Sequence, residues 1–167
     1  MKPFLCIALL LGLSLPASAQ SPNRSRRQGY FFFAPGVGNV GPATANIHIG
    51  VGGDRFVYKG LGVGVEVGPL GPLSNSPNGL GWTDSVQGLG SANLSYHFLP
   101  STTERRLEPF VTAGYSLFFR AGISQGYNTG GGVNVWLNRK AAMRFEVRDH
   151  HSYSRDTLSF RIGMTFR

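Results

Sequence analysis

The sequence has little cysteine and no long apolar run after its first twenty residues, and each absence excludes a class of protein. The single cysteine, Cys6, lies within the opening apolar run, so the rest of the chain cannot form a disulfide scaffold. Beyond that run, no stretch approaches the ~20 apolar residues of a membrane helix. No segment keeps a 3.6-residue apolar period either. We therefore expect neither membrane helices nor a helical domain.

The first residues have the order of an export signal. Lys2 gives a positive start, residues 4–15 are almost wholly apolar, and Ala17-Ser18-Ala19 provides a small-residue cleavage pattern. The apolar run is too short to anchor the chain in a bilayer as a helix. We predict a cleaved signal peptide at 1–19, a periplasmic lead-in at 20–28 and one folded domain at 29–167.

The charge is strongly basic, with a formal net charge of +8 from 16 Lys and Arg against 8 Asp and Glu. Such a surplus is typical of nucleic-acid or membrane-surface binding, and export argues against nucleic acid. Thirteen of the 16 basic residues are arginine. Several of them stand singly within apolar alternations, which indicates interior positions rather than a surface patch.

Alternation of apolar and polar residues with period two recurs along the chain, separated by clusters of Gly, Pro, Asn and Ser, and predicts strands. The clearest stretches are 143–148, MRFEVR, and 158–166, LSFRIGMTF. Pro35 removes a hydrogen-bond donor, so we expect the first strand to end early or bulge there. Eight segments follow the rule: 30–38, 44–52, 59–68, 86–99, 107–120, 125–138, 141–150 and 158–167.

The alternation fits two architectures, a soluble β-sandwich or lipocalin-like barrel and a membrane barrel. The two differ in what the polar face contains. Here that face is rich in Gly, Ser, Thr and Asn, which suit a crowded lumen better than a solvated surface. We therefore predict an all-β fold, a closed antiparallel eight-stranded transmembrane β-barrel with its apolar face toward lipid.

Four stretches carry a family resemblance: EPFVTAGY at 108–115, GGGV at 130–133, MRFEVRD at 143–149 and FRIGMTF at 160–166. Together they resemble the outer-membrane β-barrel family related to the transmembrane domain of outer membrane protein A. The resemblance implies an eight-stranded barrel in the bacterial outer membrane, inserted by the barrel assembly machinery. Outer-membrane lipids and that machinery are the implied partners, and the external partner stays open.

With both termini on the periplasmic side, the connections alternate between the two membrane faces. The expected outer loops are 39–43, 69–85, 121–124 and 151–157. The expected periplasmic turns are 53–58, 100–106 and 139–140.

The charged residues of the inward face predict a network that closes the lumen toward its outer half. An eight-stranded barrel is just wide enough for side chains to fill, so an arginine can reach a carboxylate on the opposite strand. We favour a static plug over a gate that opens by exchanging partners. The predicted network comprises Glu66, Arg120, Arg144, Glu146, Arg148 and Arg161. Separately from this network, we expect His48 and His97 inside the barrel as hydrogen-bonded residues.

One polar group near the end of the chain invites a catalytic interpretation. The spacing of His150 and Ser152 resembles the His-x-Ser of outer-membrane lipid A deacylases. The residue after the serine is Tyr153 rather than asparagine, and no downstream glutamate can orient the histidine. Adjacent His150 and His151 would point to opposite faces of a strand, which disfavours a metal site. We expect solvated residues of the last outer loop: Asp149, His150, His151, Ser152 and Asp156.

The sequence therefore predicts a non-enzymatic barrel with a structural or surface-interaction role and with no catalytic, metal-binding or cofactor-binding residues. Three alternatives stay open: a small pore, an exported soluble β-barrel that binds an apolar ligand and, least favoured, a lipid A esterase.

Overall fold

A computed structural model describes residues 27–39, 43–76, 79–82, 86–98, 106–120, 122–152 and 155–167. The predicted signal peptide and the lead-in up to residue 26 lie outside the described residues. The described chain forms nine antiparallel strands: β1 (Arg27–Asn39), β2 (Ala43–Tyr58), β3 (Leu61–Ser76), β4 (Gly79–Trp82), β5 (Gln87–His97), β6 (Leu107–Phe119), β7 (Ile123–Trp136), β8 (Ala141–Ser152) and β9 (Arg155–Phe166).

Eight of these strands close into a barrel. β1 pairs with β2 on one side and with β9 on the other, and the remaining strands follow in the order β3, β5, β6, β7 and β8. The short strand β4 pairs only with the end of β3, as a hairpin extension of the wall. The predicted closed eight-stranded antiparallel barrel is confirmed. Closure leaves the eight-strand ring without a free edge, so its ladder groups find partners within the wall.

The two faces of the wall follow the alternation of the sequence. Outward positions are apolar and exposed, as with Val65 at 66% exposure, whereas inward positions such as Arg148 at 1% are polar and buried. This distribution is the inverse of a water-soluble protein and is that of a barrel whose outer face meets hydrocarbon. In the described part of the chain, no helix is long and apolar enough to cross a membrane.

Glycines on the inner face of β2 make room for aromatic rings of β1. Gly50 lies opposite Phe32 and Gly52 opposite Tyr30 in the β1–β2 register. A Cβ on Gly52 would come within 2.6 Å of the Tyr30 ring, and a Cβ on Gly50 equally close to the Phe32 ring. The glycines predicted from the sequence as strand residues therefore accommodate buried rings.

Several predicted boundaries were wrong because polar or proline-containing stretches remain in the strands. β2 continues through 53–58, and the turn consists of Lys59 and Gly60, both with positive φ (31° and 85°). That geometry is typical of a tight two-residue hairpin turn. β3 runs on to Ser76 through a stretch expected as loop.

Pro35 neither ends β1 nor shifts its register. The pairing with β2 continues through Pro35 and Ile47, and the register with β9 is the same on both sides of the proline. The extended backbone accommodates the proline ring, and the missing donor interrupts only one ladder. β1 also begins at Arg27, so Arg27 and Gln28, assigned to the lead-in, belong to the wall.

Candidate functional site

Five of the six residues predicted for the lumen network lie together inside the barrel. We call them the central cluster: Glu66 of β3, Arg144, Glu146 and Arg148 of β8, and Arg161 of β9. Each is at most 4% exposed. Each takes an inward position because the alternation of its strand turns apolar neighbours toward the outside.

Glu66 receives charged partners from the far side of the lumen. Arg161 donates from Nη1 and Nη2 to the two carboxylate oxygens, at 3.0 Å each, in a bidentate pair. Arg148 Nη1 lies 3.7 Å from Glu66 Oε1, and the Tyr30 hydroxyl donates to Oε2 at 3.2 Å. Since β3 and β8 are four strands apart in either direction around the ring, the contact with Arg148 spans the lumen at its full width.

Glu146 is held between its two arginine neighbours on the same face of β8. Arg144 Nε donates to Oε2 at 3.1 Å, and Arg148 Nε donates to Oε1 at 2.5 Å. Arg148 Nη2 also contacts the same oxygen. Residues two apart on a strand share a face, so the i, i+2 spacing of these charges builds this part of the cluster.

The arginines of the central cluster also contact an amide side chain and aromatic rings. Arg148 Nη1 donates to Asn128 Oδ1 at 2.7 Å. The guanidinium of Arg161 lies 4.3 Å from the Phe32 ring centre, and that of Arg144 lies 4.3 Å from the Tyr30 ring and 4.0 Å from the Phe110 ring. Cation–π contacts of this kind keep buried guanidinium groups in favourable surroundings.

The position of the cluster corrects two details of the prediction. Glu146 and Arg161 are cross-strand partners half-way along β8 and β9, so the cluster lies at mid-barrel rather than in the outer half. Arg120 lies just beyond β6 and is exposed, which places it outside the buried cluster. The alternation along β6 placed Arg120 on the inward face, but the strand ends one residue before it.

A second polar group lies at the end of the barrel where β1 begins and β9 ends, and we call it the end cluster. Its hub is Glu108, fully buried, which accepts hydrogen bonds from five side chains that belong to β1, β5, β7 and the residue after β9. His97 Nδ1 is at 3.0 Å, and Arg167 also pairs with Glu108. The other donors are Gln28 at 3.2 Å, Trp136 Nε1 at 3.2 Å and Asn134 at 3.4 Å.

Sequence reasoning missed the end cluster, although one signal was present. Glu108 has the parity of Phe110 and Thr112, so its inward direction was readable. Asp54, which lies 3.9 Å from His97 and 4.0 Å from Arg144, had been assigned to a turn. The end cluster assembles residues far apart in the sequence, and only the register of the strands brings them together.

The charges of the described interior balance. Four arginines face four carboxylates there. Arg167 is one of the four and pairs at the end of the lumen. Burying unpaired charge is strongly unfavourable, so an equal number of each sign is what a closed polar interior requires. The interior charges are Arg144, Arg148, Arg161 and Arg167 with Asp54, Glu66, Glu108 and Glu146.

The prediction that His150 and Ser152 belong to a solvated loop was wrong. β8 extends to Ser152, which places both side chains inside the barrel, with His150 only 1% exposed. Asp149 faces outward, and His151 pairs with Asp156 in exposed positions. Polar residues on the outward face near the end of β8 interrupt the apolar alternation. The sequence therefore did not indicate that the strand continues to Ser152.

The surroundings of His150 do not suit a catalytic base. Arg161 Nη2, which can only donate, lies 2.9 Å from His150 Nε2, so that nitrogen is the acceptor. The neutral ring then carries its proton on Nδ1 and donates it to Ser116 Oγ at 3.1 Å. A histidine in this tautomer cannot take a proton from Ser116.

His48 and His97 lie inside the barrel, as predicted. His48 packs edge-on against Phe32 with ring centres 4.8 Å apart, and His97 stacks on Phe110 at 5.2 Å. Within the described residues, no group of three or more His, Cys, Asp or Glu is arranged to hold a metal ion.

Comparison with solved structures finds the same fold in small bacterial outer-membrane barrels. Neisserial surface protein A superposes with a TM-score of 0.69 at 13% identity, over 85% of this chain and 97% of that one. OprG from Pseudomonas aeruginosa gives 0.61 at 13% identity, over 86% and 96%. Ail, the attachment invasion locus protein of Yersinia pestis, gives 0.56 at 7% identity, over 86% and 99%.

No protein-family model matches the chain, and no curated protein sequence matches it significantly. The likeness therefore rests on structure. The chain has the fold of small bacterial outer-membrane barrels, and its exposed apolar face fits that location.

Proposed function

We propose that this protein is an integral outer-membrane barrel with a structural or surface-interaction role, whose lumen is closed by the central cluster. The observation that carries the proposal is the contact of Glu66 with Arg148 and Arg161 across the lumen. Five buried charged side chains and the aromatic rings in contact with them lie inside an eight-stranded wall, whose interior is only wide enough for side chains to fill. A filled, charged lumen also disfavours the binding of an apolar ligand inside it.

Insertion into the outer membrane by the barrel assembly machinery is part of the proposal. The exposed apolar residues of the wall are the surface that membrane lipid would cover. A closed barrel satisfies its backbone hydrogen bonds internally and resists detergent, so boiled and unheated samples should migrate differently on a gel. Release of the protein into the soluble fraction by carbonate or osmotic shock would overturn this part of the proposal.

Planar-bilayer recording tests closure. We expect the unmodified protein to be silent, because breaking the central cluster would expose buried charges without partners. Asp156→Ala, which removes an exposed pair far from the lumen, should be equally silent. A large steady conductance of the unmodified protein would refute closure.

The Glu66→Ala variant separates a plug from a gate. A static plug keeps the lumen closed after this loss, because Glu146, the remaining arginines and the aromatic rings still fill it. A silent protein that conducts after Glu66→Ala would indicate a gate that depends on exchange of partners.

A further inference from the structure

The exposed charges of the wall are distributed unequally between its two ends. Within the described residues, six exposed basic side chains lie at the end where β1 begins and β9 ends. We call this set the basic rim: Arg27, Arg55, Lys59, Arg106, Arg139 and Lys140. The two exposed carboxylates of the described chain, Asp149 and Asp156, lie toward the opposite end.

The two described carboxylates at the same end of the barrel face inward. Asp54 and Glu108 are buried in the lumen and committed to the interior, as described for the end cluster. Half of the eight acidic residues of the chain point into the barrel, where four arginines balance them. Within the described residues, exposed basic side chains therefore outnumber exposed carboxylates, and six of them form this rim.

The backbone brings the members of the rim around the same end of the ring. Arg27 and Arg55 are direct cross-strand partners, and both point outward. The main chain of Arg106 accepts from Trp136 N at 2.7 Å, and that of Lys140 accepts from Arg167 N at 3.0 Å. Lys59 occupies the β2–β3 turn.

Aromatic residues that are exposed or half-buried lie near the rim. Tyr58 is 64% exposed, and the Lys59 ammonium lies 5.2 Å from its ring centre. Tyr96 and Phe98 meet edge to face at 5.1 Å near the end of β5. Aromatic residues at the ends of membrane barrels lie at the level of the lipid headgroups. Cations just beyond them are at the depth of lipid phosphates.

Lys59 of the rim occupies a turn position with positive φ. Its φ of 31° lies in the region that favours glycine or asparagine in two-residue turns. A lysine at such a position accepts backbone strain, and its side chain extends the row of cations between Arg55 and the start of β3.

We propose that the basic rim binds the phosphates of anionic glycerophospholipids in the leaflet that surrounds this end of the barrel. The inference rests on the proposed membrane location, because only an inserted barrel presents the rim at headgroup depth. The rim attracts these lipids by charge, and the neighbouring apolar wall binds their acyl chains. The protein thereby enriches anionic lipid around its own circumference.

Lipid selectivity at the protein boundary tests the proposal. The barrel is folded into phosphatidylcholine vesicles that contain a trace of spin-labelled phosphatidylglycerol or spin-labelled phosphatidylcholine, and the immobilised fraction of each label is measured. We expect phosphatidylglycerol to be preferred about threefold or more, since each basic residue near an anionic headgroup adds a favourable interaction. The preference should fall when salt is raised, because salt screens exposed charges.

Two variants provide the comparison. Neutralising the rim by Arg55→Gln, Lys59→Gln, Arg106→Gln, Arg139→Gln and Lys140→Gln should abolish the preference. The charge-preserving variant Arg55→Lys, Arg106→Lys and Arg139→Lys should retain it. If the neutralised protein does not fold, the salt series on the unmodified protein decides the question.

The outcomes separate this inference from the proposed function. A protein that inserts, as judged by heat-dependent migration on a gel, but shows no preference for phosphatidylglycerol overturns the lipid proposal alone. Persistence of the preference after neutralisation would do the same. Failure to insert into vesicles would overturn the proposed function.

Discussion

Arg161 and Glu66 are 95 residues apart in the sequence and form a bidentate pair across the interior, with both hydrogen bonds at 3.0 Å. They belong to β9 and β3, which are separated in the ring by β1 and β2. The pair therefore requires β1 to have joined β9 and the barrel to have closed. The pair links the last strand to the third strand, so it can form only in the closed barrel.

Loss of the Glu66 charge should strongly destabilise the barrel. In Glu66→Gln, Arg161 and Arg148 keep their buried positions but lose a carboxylate partner. Removing one member of a buried ion pair typically costs about 3–5 kcal/mol. Urea unfolding of the protein in lipid vesicles measures the change in unfolding free energy.

The matched control is Asp156→Asn, which removes the exposed partner of His151. Exposed pairs contribute about 0–1 kcal/mol, so this variant should stay close to the unmodified protein. The double variant Glu66→Gln, Arg161→Met should recover part of the loss because it removes the uncompensated charge as well. Equal stability of the two single variants would contradict a stabilising central pair.

Much of the central cluster was readable from the sequence. The alternation in MRFEVR places three charges on one face of β8, and the period of β9 and β3 gives Arg161 and Glu66 the same inward direction. The alternation alone shows whether a side chain points inward or outward, because successive residues of a strand point to opposite faces. The diameter of an eight-stranded ring then implies contact between opposite strands.

The parts that were missed depend on where strands end and on how they pair. Asp54 and His150 lie in polar stretches that read as turn and loop, yet their strands continue because each finds a full partner in the next strand. The prediction for Arg120 was wrong for the opposite reason, because β6 ends one residue before it. Glu108 had the correct parity, but its five partners come from four separate parts of the chain that only the register aligns.

The outward direction of Val65 can be tested by charge insertion. Val65 lies mid-way in the paired part of β3, is 66% exposed and stands between inward-facing Gly64 and Glu66. Val65→Arg should reduce the unfolding free energy in lipid by about 2–4 kcal/mol, the effect of an arginine at the bilayer midplane.

Val57→Arg is the control for depth. Val57 is also outward and exposed, but it lies one residue before the end of β2 beside the basic rim. An arginine near the interface costs about 0–1 kcal/mol. Similar losses at both positions would mean that Val65 is not at mid-membrane.

A side chain at Gly52 should disturb the packing of β1. Its Cβ would come within 2.6–2.7 Å of two ring carbons and the hydroxyl oxygen of Tyr30, a buried residue whose hydroxyl donates to Glu66. Overpacking of this kind typically costs about 1–3 kcal/mol, so Gly52→Ala should be measurably less stable. Gly29→Ala, whose Cβ would meet nothing closer than 4.0 Å, should be nearly neutral. A neutral Gly52→Ala would mean that the ring has free space.

Arg167 should shield Trp136 at the end of the lumen. Its guanidinium carbon lies 3.6 Å from the Trp136 ring centre while the same side chain pairs with Glu108. Trp136 is 8% exposed, and the indole N–H also donates to Glu108. Arg167→Ala removes the cation–π contact, an interaction of about 0.5–2 kcal/mol, and opens the ring to water.

Fluorescence measures this directly once Trp82→Phe has left Trp136 as the single tryptophan of the chain. In that background, Arg167→Ala should move the emission to longer wavelength and increase quenching by iodide. Arg139→Ala, which removes an exposed cation from the adjacent β7–β8 turn, should leave both unchanged. Because iodide is an anion, acrylamide serves as the neutral quencher that separates exposure of the ring from a change in local charge. Unchanged acrylamide quenching in Arg167→Ala would show that the wall and Glu108, rather than Arg167, keep water from Trp136.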